Sequence, residues 1–173
     1  MKHPTAGLLV VGLLAVVATA CSSGPGAPAI TETTRVCTEK FCVDVPNGWI
    51  VEVGDDYLSG HHDVAPDRTY LTAGVVNLEA IVTNAGGSWP ATTEEVSRAF
   101  WTLLEDAGVG TFSRSQRMLG GAQRSWGRHE DGDMWHLVVP TGGSTGIGVE
   151  MRAPNDSWEV HADAVFASVE AIG

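Results

Sequence analysis

Basic residues are scarce in this chain: 10 Lys and Arg stand against 21 Asp and Glu, a net charge of −11. Binding nucleic acid rests on neutralising phosphates with Lys and Arg, so no nucleic-acid partner is expected. The same balance argues against holding an anionic membrane surface by charge. Cysteine is rare too, at three residues. There is no Cys-x-x-Cys, and no second Cys/His pair at zinc-finger spacing, so neither a thioredoxin-like pair nor a zinc ribbon is encoded. The longest apolar run, Gly7 to Ala20, falls short of the roughly 20 residues that span a membrane as a helix. What is plentiful is core-forming material. Hydrophobic residues make up 43% of 173 positions and six are Trp, enough for one domain.

The head of the chain reads as an export signal. Lys2 gives a positive start, and Gly7 to Ala20 has the length of a signal-peptide apolar region. It ends Val17-Ala18-Thr19-Ala20-Cys21. This resembles a bacterial lipoprotein signal, although Ala18 stands where that family usually has Leu; Ala18-Thr19-Ala20 also fits an ordinary secretory cleavage site. The resemblance implies that Cys21 is lipidated and becomes the mature N-terminus, with the protein lipid-anchored on the extracytoplasmic face of the cell membrane. Two or three acyl chains hold a protein where a single chain gives only reversible binding. With Cys21 acylated, Cys37 and Cys42 remain as a pair. Residues 22–34 are small, polar and rich in Pro and Gly, and are expected to form a flexible tether spanning roughly 20 Å. The division expected is a signal over 1–20, a lipidated tether over 21–34 and one α+β domain over 35–173.

The folded part is organised around residues 37–53. Cys37 and Cys42 are placed to face each other across a hairpin, within disulfide reach in an oxidising compartment. Phe41, Val43 and Val45 share one face of a strand. Pro46 ends it, Asn47-Gly48 makes the turn, and Trp49, Val51 and Val53 face one side of the next strand. Residues 55–68, with His61-His62-Asp63, read as loop; adjacent His residues on extended chain point apart, which disfavours a shared metal. Tyr70 to Thr83 reads as one long strand, with Glu79 facing solvent. Thr92 and Glu95 form a capping box, followed by Val96, Ala99, Phe100, Leu103, Leu104 and Ala107 at helical spacing. Residues 111–119, 122–130 and 134–139 are three strands of a meander, separated by Gly120-Gly121 and Asp131-Gly132-Asp133. Asp156 to Glu159 reads as a second capping box, opening a helix with the stripe Trp158, Ala162, Val165, Phe166, Val169 and Ile172. The expected whole is an antiparallel sheet of about six strands with two amphipathic helices packed on it.

Chemistry-bearing motifs are few. Arg114, Arg117, Arg124 and Arg128 form the one basic cluster, either a site for an anionic partner or a solvated sheet face. Gly142-Gly143-Ser144-Thr145-Gly146 matches the G-x-S-x-G pattern, with Asp156 and His161 following. That pattern needs a helix after the Ser, and the sequence offers another strand. A scattered set of His129, His136, Glu79 and an Arg is the remaining candidate for catalysis.

Strand–Val45-Pro46-Asn47-Gly48-Trp49–strand, a middle helix, a meander and a final helix from Trp158 through Phe166 to Val169 resemble the PsbP-like fold, and within it the LpqN-type lipoproteins of actinobacteria. The resemblance covers roughly Phe41 to Ile172. It implies a non-catalytic binding or assembly protein, with no cofactor and no active site to transfer. The function expected is binding of a protein partner or envelope component through the sheet face by a monomer. The alternative is a carrier of a small apolar or lipid ligand, in a pocket between helix and sheet lined by some of Trp49, Phe100, Trp126, Trp135 and Trp158.

Overall fold

The computed structural model describes residues 24–172. The expected signal over 1–20 and the lipidation site Cys21 lie outside the described residues.

The elements run β1 (Thr33–Cys37), β2 (Phe41–Pro46), β3 (Trp49–Val53), β4 (Tyr57–His62), β5 (Tyr70–Asn77), α1 (Leu78–Asn84), α2 (Thr93–Asp106), β6 (Gly110–Arg117), β7 (Gln123–His129), β8 (Gly132–Gly142), β9 (Thr145–Ala153), α3 (Glu159–Ala167) and β10 (Glu170–Ala171). The fold is α+β with antiparallel pairing, but the strands form two sheets. One has seven strands in the order β3-β4-β5-β9-β8-β7-β6, and the other three, in the order β1-β2-β10. This corrects the expectation of a single sheet of about six strands with two helices.

The large sheet has a layer on each face. On one side Leu71, Trp135, Leu137, Val149 and Met151 meet Phe41, Val43 and Val45 of β2 and Trp158, Ala162, Val165 and Phe166 of α3 in the main core. On the other, Val138 meets Leu78 and Val82 of α1 and Val96 and Ala99 of α2. Trp101 of α2, which the helical stripe left out, is fully buried. Its indole N–H donates to Ser125 Oγ at 2.8 Å. A Cβ on Gly127 would sit 2.5 Å from its ring, so this strand position needs glycine to admit the indole.

Local chemistry explains where the elements begin. Thr92 and Glu95 make the expected capping box on α2. The run over Tyr70–Thr83 is not one strand. Asn77 ends β5, and its side chain accepts from Ala80 N and caps α1, which places Glu79 exposed in the first helical turn. Residues 55–68 are not all loop, because β4 pairs between β3 and β5. At the C-terminal helix the cap is Asn155, whose side chain accepts from Ser157 N, and a 3-10 turn over Asp156–Trp158 precedes α3. Glu159 is thereby free for another role. Ile172 lies past the end of α3 and is exposed.

Cys37 and Cys42 are register partners at the β1–β2 hairpin and are joined by a disulfide. The segment expected as tether is, from Gly24 on, laid against the turn that leads into α3. Asn155 Nδ2 donates to the Gly24 carbonyl at 3.1 Å, Trp158 Nε1 to that of Pro25 at 3.0 Å, and Ser157 Oγ accepts from Ala27 N at 2.9 Å. β1 then begins at Thr33, inside the expected tether.

Candidate functional site

The Pro46-Asn47-Gly48-Trp49 turn holds that strap from the other side. Asn47 Oδ1 accepts from Thr31 N at 2.9 Å. Gly48 has φ +86°, and a Cβ there would meet the His62 ring at 2.4 Å, so glycine is needed twice over. Trp49 Nε1 donates to His161 Nδ1 at 3.1 Å. With Nδ1 accepting, His161 Nε2 carries the proton and donates to the Pro28 carbonyl at 2.9 Å. Both nitrogens of His161 are thus used, and burial holds its pKa below the usual value. His161 is therefore a strut of the core, far from the role of a triad base. Ser144 of the G-x-S-x-G match lies in the β8–β9 hairpin, with a strand after it. His62, expected in a loop, is buried and meets Trp158 edge-on at 5.0 Å, while His61 points to the other face of β4.

The arginine cluster is mostly committed to acids. Arg124 is buried and pairs with Glu159 at 3.0 Å and with Asp163. The guanidiniums of Arg114 and Arg124 lie over the Trp126 ring, 4.6 and 4.2 Å from its centroid, and the Trp126 N–H donates to Glu159 at 2.6 Å. Arg128 pairs with Asp133. Arg117 has no acidic partner among the described residues.

Arg117 lines a groove of about 930 Å³ between α3 and the large sheet. Ala122, Leu137 and Val139 of the sheet side and Phe166, Ala167 and Val169 of the helix side face it, with Met118 and Leu119 on its rim. Leu119 is 99% exposed, at the tip of the turn between β6 and β7. Of the aromatics expected to line a helix–sheet pocket, Trp49, Trp135 and Trp158 are buried in the core instead. Sequence reasoning missed the groove because its walls come from three separate segments.

Of the scattered catalytic set, Glu79 stays apart on α1, but Glu150 takes a comparable place. Glu150 is the register partner of His136. Arg152 links it onward, with Nε 2.9 Å from Glu150 Oε1 and Nη1 3.1 Å from His129 Nε2. Burial raises the Glu150 pKa, against the pull of Arg152 and His129. Burial pushes the His136 pKa down to about 3, so its ring is neutral. His129, Glu130 and Asp131 bring ligand atoms within 4.8 Å of one another, but in an exposed turn with the Arg152 guanidinium on the imidazole. A fixed cation there disfavours a second one.

No family model matches the chain, and neither does any curated protein. A crystal structure from Bacteroides thetaiotaomicron is similar over 77% of this chain, at 12% identity and a TM-score of 0.39. The chain spans 45% of the length of that structure.

Proposed function

We propose that this is a lipid-anchored, non-catalytic protein of the cell envelope that binds an amphiphile, with an apolar body and an anionic head, in the groove beside α3. The observation that carries the reading is the groove itself. Its walls are mostly apolar, with Gln116 and the acid-paired Arg124 among them, its volume lies within the range of ligand sites, and Arg117, without an acidic partner among the described residues, stands at its side. The Val17-to-Cys21 signal supports the anchor, and the resemblance to PsbP-like lipoproteins supports a binding role. A docked strap from Gly24 onward would hold the domain within a few residues of a lipidated Cys21, so the groove would work close to the membrane.

The anchor has a direct test. Cys21→Ser is expected to move the protein from the membrane fraction to the medium; retention of that variant in the membrane contradicts the anchor. The groove is tested by titrating the Cys21→Ser protein with the fluorescent fatty acid cis-parinaric acid. Saturable binding is expected, weakened about tenfold by Ala167→Trp, which fills the groove from an exposed position, and by Arg117→Glu; tenfold corresponds to about 1.4 kcal/mol. No saturable binding, or equal affinity in all three proteins, removes the groove from the account.

A protein partner on the opposite face of the large sheet is the second reading. Ile50, Tyr57 and Tyr70 stand 57%, 54% and 39% exposed there. Tyrosines of this kind are enriched at interfaces.

A further inference from the structure

The sheet face that carries α1 and α2 is only partly covered, and beside the helices it holds a second cleft, of about 410 Å³. Strand register makes its floor. Tyr57 pairs with Gly74 and Gly74 with Gly148, so two neighbouring strands lack side chains at the same level. Neither glycine has a positive φ, so the backbone conformation does not call for them. A Cβ on Gly74 would meet Tyr57 Cβ at 3.4 Å, an ordinary contact. One on Gly148 would meet Val76 Cγ1 at 3.1 Å, so the pair leaves a narrow strip of backbone, edged by Tyr57 and Val76, on which a flat group can lie.

The next level of the same face is polar across five strands. Ser59 pairs with Thr72, Thr72 with Glu150, Glu150 with His136 and His136 with Ser125. Ser125 is occupied by Trp101. His136 is 4% exposed, stacks on Phe100 at 3.8 Å and 9°, and has no hydrogen-bond partner on Nδ1 among the described residues. Buried polar atoms are rarely left so. Phe100 and Ile81 wall the cleft on the helix side, and Tyr57, largely exposed, stands on the β4 side.

We infer that this cleft is a binding site for a flat aromatic molecule of one or two fused rings bearing a single hydroxyl or ring N–H. The ring lies on the Gly74–Gly148 strip between Tyr57 and the Phe100–His136 stack. Aromatic groups prefer such offset or edge-on neighbours. The polar group meets the Thr72 hydroxyl, with Glu150 beside it at the same level of the sheet. The volume is near the low end for ligand sites, which suits fused rings and leaves little room for an acyl chain. The site is on the opposite face from the groove beside α3 and does not depend on it.

Calorimetric titration of the full chain carrying Cys21→Ser with 2-naphthol tests this. Binding with a Kd of roughly 10 µM to 1 mM is expected for so small a ligand. Gly74→Val fills the strip with a residue that strands accept, and is expected to raise Kd at least about tenfold. Thr72→Val keeps the shape, removes one hydroxyl and is expected to weaken binding several-fold, which covers the case that Gly74→Val does not fold. Ala167→Trp is expected to change nothing. Absence of saturable 2-naphthol binding, or unchanged affinity in Thr72→Val or in a folded Gly74→Val protein, overturns the inference. Loss of binding in Ala167→Trp alone places the ring in the groove beside α3 and overturns it equally, while leaving that groove's own test untouched.

Discussion

Trp158→Ala is expected to destabilise the protein by about 3–5 kcal/mol, the range for removing a buried aromatic side chain. Trp158 is fully buried and touches three rings, with centroids 6.3 Å from Trp49, 5.0 Å from His62 and 5.2 Å from His161. Alanine leaves those rings without a common neighbour and the Pro25 carbonyl without its donor. Cavities of this size collapse only in part, so both the lost burial and the void count. Against a domain stability of about 5–15 kcal/mol this is a large fraction. The variant should show a lowered urea midpoint and faster proteolysis within residues 24–28, because the strap loses its central hydrogen bond. A midpoint within the error of wild type contradicts the placement of Trp158 at the heart of this core.

Acid is expected to weaken the fold through His136. Burial lowers its folded pKa from 6.5 to about 3. A depressed folded pKa means that the stability is fully present above the unfolded value and is lost as pH falls from 6.5 toward 3, because the unfolded chain takes up the proton first. At about pH 4.5 the loss amounts to roughly 2–3 kcal/mol. His161, also lowered by burial, adds to the loss on the same side. Glu150, the group facing His136 from β9, runs the other way. Its carboxyl is raised by burial, so its protonation as pH falls relieves a cost of the folded state. The variant His136→Gln separates these. Urea midpoints measured at about pH 7 and about pH 4.5 should drop further for wild type than for His136→Gln. An equal drop in both assigns the acid sensitivity elsewhere.

Much of the local structure was legible. The Thr92–Glu95 box, the Gly120-Gly121 turn and the Cys37–Cys42 pairing each rest on residues within a few positions of one another, and each is present as expected, while the β7–β8 turn falls one residue early, at Glu130-Asp131, with Gly132 and Asp133 already paired in β8. The errors have physical causes too. β4, with Ser59, Gly60, His61 and His62, carries little apolar alternation, because on one face it packs Leu58 and His62 and on the other it is open. The run from Tyr70 to Thr83 stays apolar through the strand–helix boundary, and only the Asn77 side chain, bonded three residues ahead, marks the change. The strap Gly24–Pro28 has a linker's composition, yet the three side chains that bind its carbonyls come from residues 155–161, at the far end of the chain.

By itself the sequence determined the short-range elements: turn chemistry, caps, alternation and the cysteine pairing are encoded within a few residues. It also determined the acidic, tryptophan-rich character that disfavours nucleic acid. Only the tertiary structure decided which elements share a sheet, that one layer packs on each face, and that two concavities open on opposite sides. The groove beside α3 draws on residues 116–124, 137–139 and 166–169, and the glycine strip on β5 and β9, some seventy positions apart. Such surfaces are created by register and packing between distant segments, and no local pattern carries that information.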